Sequence, residues 1–141
     1  MLSQDTLEKR LNRPVRFFPQ VESTQDIALD WLRDGAETGA VVVADEQVAG
    51  RGRRGRDWVT PPGTAIALSV ILRPPREAIA QVTMLGALAI AEMLDGLGLT
   101  DVKLKWPNDV QLNGRKVCGV LPEAVWDGDR LRGVALGMGI N

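Results

Sequence analysis

Between Gly50 and Arg56 the chain reads Gly-Arg-Gly-Arg-Arg-Gly-Arg, four guanidiniums and three glycines in seven residues. Glycines let the backbone turn its N–H groups toward a ligand, and arginines add planar donors matched to carboxylate and phosphate oxygens. A loop of this composition binds an anion. Nucleic acid, a nucleotide and a carboxylate all answer that description. A solvated basic turn, or an arginine-glycine segment touching RNA, competes with a built site. The run occurs once and is flanked by strand-like segments, which favours a pinned loop over a disordered one.

Further groups of residues could do chemistry with it. Lys105-Trp106-Pro107-Asn108-Asp109 places an amide and a carboxylate beside a rigid bend, able to hold Mg²⁺ or water at phosphate oxygens or simply to end an edge strand. Gly114-Arg115-Lys116 follows a tight turn that returns Lys116 toward the same region, although a lone strand lysine is also an ordinary surface residue. Glu22-Ser23-Thr24-Gln25-Asp26 opens a helix, and its free N–H groups and hydroxyls can meet a polar ligand as well as cap the helix. Gln47 adds an amide that donates and accepts. Gly137, Gly139 and Asn141 form a small-residue strand suited to close packing or to a flat ligand.

Composition removes other mechanisms. The 141 residues contain no histidine and no tyrosine, so imidazole and phenol acid–base catalysis and His-ligated zinc are excluded. The single cysteine, Cys118, forbids an internal disulfide and suits a reducing cytoplasm. A formal net charge of −1 argues against a general nucleic-acid binder, so the basic loop is a local feature. The N-terminus lacks a signal-peptide core, and no apolar run is expected to reach the roughly 20 residues of a membrane span.

The elements that must position these groups follow from pattern. Ser3 to Leu11 predicts a short helix ended by Pro14, and Val15 to Phe18 a strand. Ser23 predicts an N-cap, with Asp26 completing a capping-box-like start. The next helix shows Ile27, Trp31 and Leu32 on one face and ends at Gly35. Ala40 to Ala44 predicts a buried strand leading into the arginine loop, and Thr64 to Leu72 another. Glu77 to Leu94 predicts the longest helix, ending near Gly96 and Gly98. Val102 to Trp106, Val110 to Leu112, Arg115 to Trp126 and Arg130 to Met138 predict strands, with Asn113-Gly114 as a two-residue hairpin turn and a second turn around Asp127-Gly128. Residues 1–141 therefore read as one α+β domain with a mostly antiparallel mixed sheet flanked by helices.

Taken in order, Ser23-Thr24, Gln47, Gly50–Arg56 with Trp58, Lys105–Asp109, Arg115-Lys116, Gly119 with Glu123 and Gly137–Asn141 resemble the catalytic domain of biotin protein ligases. The pairing of the arginine-glycine run with Lys-Trp-Pro-Asn-Asp is the specific part. The resemblance implies the fold shared with class II aminoacyl-tRNA synthetases. It also implies activation of biotin by ATP to biotinyl-5′-AMP, then transfer to a lysine of the biotin carboxyl carrier protein of acetyl-CoA carboxylase or a related carboxylase. By position it implies Arg51, Arg53 and Lys116 at the reacting carboxylate and phosphate, with Ser23, Thr24, Gln25, Gln47 and Gly52 joining them around biotin. Arg54, Trp58, Asn108, Asp109 and Asn141 fall at the nucleotide, and Asp109 near Mg²⁺.

The chain departs from that family at Gln25-Asp26, where asparagine often comes first, and at Pro122. It carries no helix-turn-helix segment, so no DNA binding is expected, and no membrane partner; a homodimer is left open. It also reads as shortened at its C-terminus, where the family's enzymes add further catalytic domain and a small β-barrel. The alternatives are a lipoate or octanoate ligase on the related fold, and a fragment that binds biotin without turnover.

Overall fold

The computed structural model describes residues 2–141. Three α-helices, α1 (Gln4–Leu11), α2 (Thr24–Arg33) and α3 (Ile79–Gly96), accompany eight strands. These are β1 (Val15–Val21), β2 (Val41–Arg51), β3 (Asp57–Thr60), β4 (Ile66–Leu72), β5 (Val102–Lys105), β6 (Asp109–Leu112), β7 (Arg115–Asp127) and β8 (Arg130–Ile140). The strands form one sheet in the order β1-β2-β4-β8-β7-β6-β5, with β3 paired to the far end of β2. Among the described residues only β1 and β2 run parallel, joined through α2; the remaining pairs are antiparallel. The expected mixed, mostly antiparallel α+β sheet is what forms.

Two apolar cores hold the layers. Ala28, Leu29 and Leu32 of α2 pack with Val42, Ile71, Val125 and Ala135, whereas Val82, Ala87, Ile90 and Leu94 of α3 pack with Val110, Cys118, Val120, Val134, Leu136 and Ile140. Neighbouring residues of β8 thus serve different cores. Side chains alternate across a strand, so α2 and α3 cover opposite faces of the sheet. Each fully buried Val, Leu or Ile contributes about 1.5–3 kcal/mol. The inner face of α2 is centred on Ala28, Leu29 and Leu32, with Ile27 and Trp31 at its margin, a rotation from the predicted face. Gly86 of α3 lets the helix approach closely, since a Cβ there would stand 3.0 Å from both Leu136 and Val120.

Several local readings shift. β2 runs on through Gly50 and Arg51, so the arginine run is the tip of a β2–β3 hairpin and only Gly52–Arg56 leaves the strands. β3 was not expected, because Asp57–Thr60 is short and follows an arginine-glycine stretch. The helical run Arg76–Gly96 spans 21 residues and is long and apolar enough by composition to match a membrane span, contrary to the sequence expectation. Its inner face is nonetheless packed on the sheet core. Pro122 lies within β7 without breaking it. Asn141 N–H donates to Val117 O and Cys118 faces Ile140, which makes Pro122 and Leu136 a non-hydrogen-bonded pair. The proline nitrogen therefore points away from β8, on the side where Val120 N–H reaches Asn108 O and beyond which β6 no longer runs.

Candidate functional site

A cavity of about 420 Å³ opens on the α2 face of the sheet and gathers residues from each of the groups that the sequence singled out. Its floor begins at the α2 N-terminus. Ser23 is the N-cap, its Oγ accepting from Gln25 N–H at 3.2 Å, a cap worth about 1 kcal/mol. Gln47 of β2 turns its Oε1 to Thr24 N–H (2.9 Å) and to the Thr24 hydroxyl (3.2 Å), satisfying another unpaired amide of the first turn. Thr24 also lies 3.0 Å from Ser69 Oγ of β4. Gln25 is buried, with its Nε2 donating to Leu121 O (3.1 Å) and Ala135 O (2.9 Å) and its Oε1 accepting from Ser69 (2.8 Å). It occupies the space that Gly137 leaves, where a Cβ would stand 2.8 Å from Gln25 Oε1.

Asp26 does not complete a capping box. Its carboxylate takes Arg51 Nη1 at 2.7 Å, and the other edge of that guanidinium meets Glu123 through Nε (3.2 Å) and Nη2 (3.1–3.3 Å). A long-range charge outcompetes the local cap because an ion pair engages the carboxylate more strongly than a neutral N–H. Burial pushes the Arg51 guanidinium down, but the bond to Asp26 and the charges of Glu123 and Asp26 outweigh it, and the net shift is upward. Arg51 thus ties the root of the arginine hairpin to α2 and to β7, and its charge is already matched within the protein.

The remaining arginines stand at the mouth. Gly52 N–H donates to Arg56 O at 2.6 Å and closes the tip, and Arg54 sits at φ 60°, a left-handed conformation costing about 1–2 kcal/mol for a side-chain-bearing residue. Arg53 Nη1 crosses the opening to Asn108 Oδ1 at 3.1 Å. Asn108 in turn donates to Val120 O at 3.1 Å.

The opposite wall comes from the β6–β7 hairpin. Asn113 and Gly114 both have positive φ, 51° and 75°, the geometry of a type I′ turn that the Asn-Gly pair predicted. This turn returns Lys116 so that its Nζ lies 2.9 Å from Asp109 Oδ1 and 5.2 Å from the Trp58 ring centre. Trp58 lies over the cross-strand pair Gly119 and Gly139, where a Cβ on Gly139 would collide with the indole. Its Nε1 is buried and has no hydrogen-bond partner among the described residues. Trp106, 79% exposed, stands at the rim.

Of the residues singled out from the sequence, Ser23, Thr24, Gln25, Gln47, Arg51, Gly52, Arg53, Arg54, Trp58, Asn108, Asp109 and Lys116 line this cavity. Asn141 does not; it is exposed at the end of β8. Ser69 was missed, and its only signal was one hydroxyl interrupting the apolar run Ile66–Leu72. Among the described residues no group of three or more Asp, Glu, Cys or His side chains converges to hold a metal. Asp109, the candidate ligand, is committed to Lys116.

The cavity therefore has a neutral floor of oriented hydrogen-bonding groups and a mouth carrying Lys116, Arg53 and Arg54. It suits a ligand with a small polar head and an anionic end, and it can draw a second anion onto the first. The chain is 41% identical over 123 residues to the bifunctional ligase/repressor BirA of Bacillus spizizenii, covering 86% of this chain and 38% of that one. It is 44% identical over 129 residues to the biotin–[acetyl-CoA-carboxylase] ligase of Paracoccus denitrificans, 86% of this chain and 52% of that protein. The biotin protein ligase of Aquifex aeolicus in complex with biotin and ATP superposes with a TM-score of 0.78 at 34% identity, covering 91% and 52% of the two chains. The chain spans about half or less of the length of these relatives. The model of the biotin/lipoate A/B protein ligase family matches residues 17–141, and the chain belongs to that family.

Proposed function

We propose that the chain carries the biotin-activating site of a biotin protein ligase. The observation that carries this reading is the coexistence, in one cavity, of an oriented polar floor and a cationic mouth. A ureido ring presents one carbonyl and two N–H groups. The Ser23 hydroxyl and the Gln47 amide nitrogen are left to donate to the carbonyl, and Thr24 Oγ1 to accept from an N–H. The valeryl chain then runs past Trp58, which itself covers the Gly119 and Gly139 pair, bringing its carboxylate to Lys116 and Arg53.

In the first step a biotin carboxylate oxygen attacks the α-phosphorus of ATP and pyrophosphate leaves, giving biotinyl-5′-AMP. Two anions must approach, so fixed cations supply most of the stabilisation. Lys116 and Arg53 face the reacting oxygens. Arg51, held by Asp26 and Glu123, keeps the hairpin in place. Asn108 and Arg54 flank the nucleotide; Asp109, paired with Lys116, is the carboxylate that would lie nearest a Mg²⁺ carried on the triphosphate, and such an ion would neutralise phosphate charge. In the second step an acceptor lysine amine attacks the acyl carbon and AMP leaves. The acceptor is the carboxyl carrier protein of acetyl-CoA carboxylase or a related carboxylase, and the setting is the cytoplasm.

Titration calorimetry with biotin and with lipoate tests the reading. Biotin is expected to bind and lipoate to give no heat, because lipoate offers the polar floor no partner. Absence of biotin binding overturns the proposal. Biotin-dependent ATP–pyrophosphate exchange then reads the first chemical step directly.

A further inference from the structure

We infer that the rim of the cavity is the docking surface for the acceptor protein, with Trp106 as its apolar anchor and Lys105 and Arg56 selecting a partner that is acidic around its target lysine. The inference rests on the biotin reading above and adds to it the face on which the second substrate lands. Trp106 is 79% exposed, more than any other large apolar side chain among the described residues, and it borders the cavity mouth. An indole left in water forgoes about 25 cal/mol for each Å² that a partner could cover.

The sheet beside Trp106 is open on this side. Val102 of β5 packs into the α3 core, and Leu104 stands opposite the buried Val110 of that same core. Side chains alternate along a strand, so Lys103 and Lys105 face the cavity side, with Lys105 directly opposite Asp109. The core beneath α2 includes, among the described residues, nothing from β5 or β6, and Lys103, Lys105 and Trp106 are all exposed. Lys103 is held by Asp101 at 2.7 Å and Lys116 by Asp109 at 2.9 Å. Lys105 has no ion-pair partner among the described residues.

Across the opening stand Arg53, Arg54 and Arg56. The mouth thus gathers six cations against the carboxylates of Asp57, Asp101 and Asp109, in a chain whose formal net charge is −1. Arg53 and Lys116 serve the anions inside the cavity, which leaves Lys105 and Arg56 on the outer rim. A folded acceptor cannot enter; it rests on that rim while its lysine reaches in to the acyl carbon. The contacts it meets are an indole and two cations, which suits a domain with an apolar side chain and carboxylates flanking the lysine. Trp106 and Lys105 touch no reacting atom in this scheme.

The test separates docking from chemistry by using three readouts on the 141-residue chain. Biotin-dependent ATP–pyrophosphate exchange reads the first step. Hydroxamate formation reads attack by hydroxylamine, a nucleophile too small to need a docking surface. Transfer to a biotin carboxyl carrier domain reads the second step. Trp106→Ala is expected to raise the carrier KM about tenfold or more, the size of a lost aromatic anchor. Lys105→Glu is expected to raise it about fivefold at low salt and less at high salt. Exchange and hydroxamate formation should stay within about twofold of wild type in both. A carrier domain whose carboxylates around the target lysine are changed to amides should show a raised KM on wild type, and no further rise on Lys105→Glu. An unchanged carrier KM in either variant overturns the inference. So does an equal fall in exchange and transfer, which would place these residues in the chemistry. A wild-type chain that exchanges pyrophosphate but does not modify the carrier overturns this inference alone. Absence of exchange overturns the proposed function, and this inference with it.

Discussion

Two hairpins supply the cations of the cavity, and they are built in opposite ways. The β6–β7 hairpin turns through two residues, packs Cys118 and Val120 into the core, and holds Lys116 between Asp109 and the Trp58 ring. The β2–β3 hairpin is anchored at its root by Arg51 but projects a tip with no buried residue. From that tip Arg53 reaches the far wall through one hydrogen bond. One wall is finished before any ligand arrives; the other has charge in surplus and few contacts to hold it. Preorganised cations stabilise developing charge without reorganising, whereas a loosely held loop serves better to close over a bound anion.

The largest expected effect follows from the finished wall. Lys116→Met should lower biotin-dependent ATP–pyrophosphate exchange by about a hundredfold or more, with a small change in biotin affinity, because its charge matters most where the two anions meet. Arg53→Gly should act later and more weakly. The rate of biotinyl-5′-AMP release, followed by rapid dilution of preloaded protein, should rise about tenfold through loss of a charge-assisted contact and a freer tip. Equal damage by the two substitutions to the exchange rate would erase the distinction between the hairpins, and an unchanged release rate would remove Arg53 from the closing role.

The smallest effect probes the rigidity of the finished wall. Burial pushes the Cys118 thiol from 9.0 up to about 12, with nearby Lys116 pulling in the other direction. The folded protein thus holds the proton more tightly than the unfolded chain. Its contribution to stability is present below pH 9 and is lost as pH rises toward 12. Iodoacetamide at pH 8 should label native protein far more slowly than denatured protein, read by intact mass; rapid native labelling would mean that β7 opens readily.

Much of the cavity was legible in the sequence because its residues contradict their surroundings. Arginines among glycines, Asn-Asp after a proline and Lys116 just past an Asn-Gly turn are local statements, and the fold honours each. What was hidden depends on distant partners. Asp26 obeys the spacing of a capping box, yet Arg51, brought from β2, outbids the local N–H. Ser69 is one hydroxyl in an apolar strand and acquires meaning only when α2 lays Gln25 and Thr24 against it. β3 exists because β2 offers it an edge, which no property of Asp57–Thr60 announces. Asn141 shared the glycine motif of its strand but stands outside the cavity those glycines line.

Pro122 carries a consequence for the protein in the company of its own copies. Among the described residues no strand neighbours the outer edge of β7 past Val120, and a bare edge of this kind can template the pairing of another strand. A strand arriving there finds a missing donor at Pro122, so a continuous ladder cannot propagate across it. A residue that looks like a flaw in a strand thus withholds, on this edge, the N–H that an added strand would need.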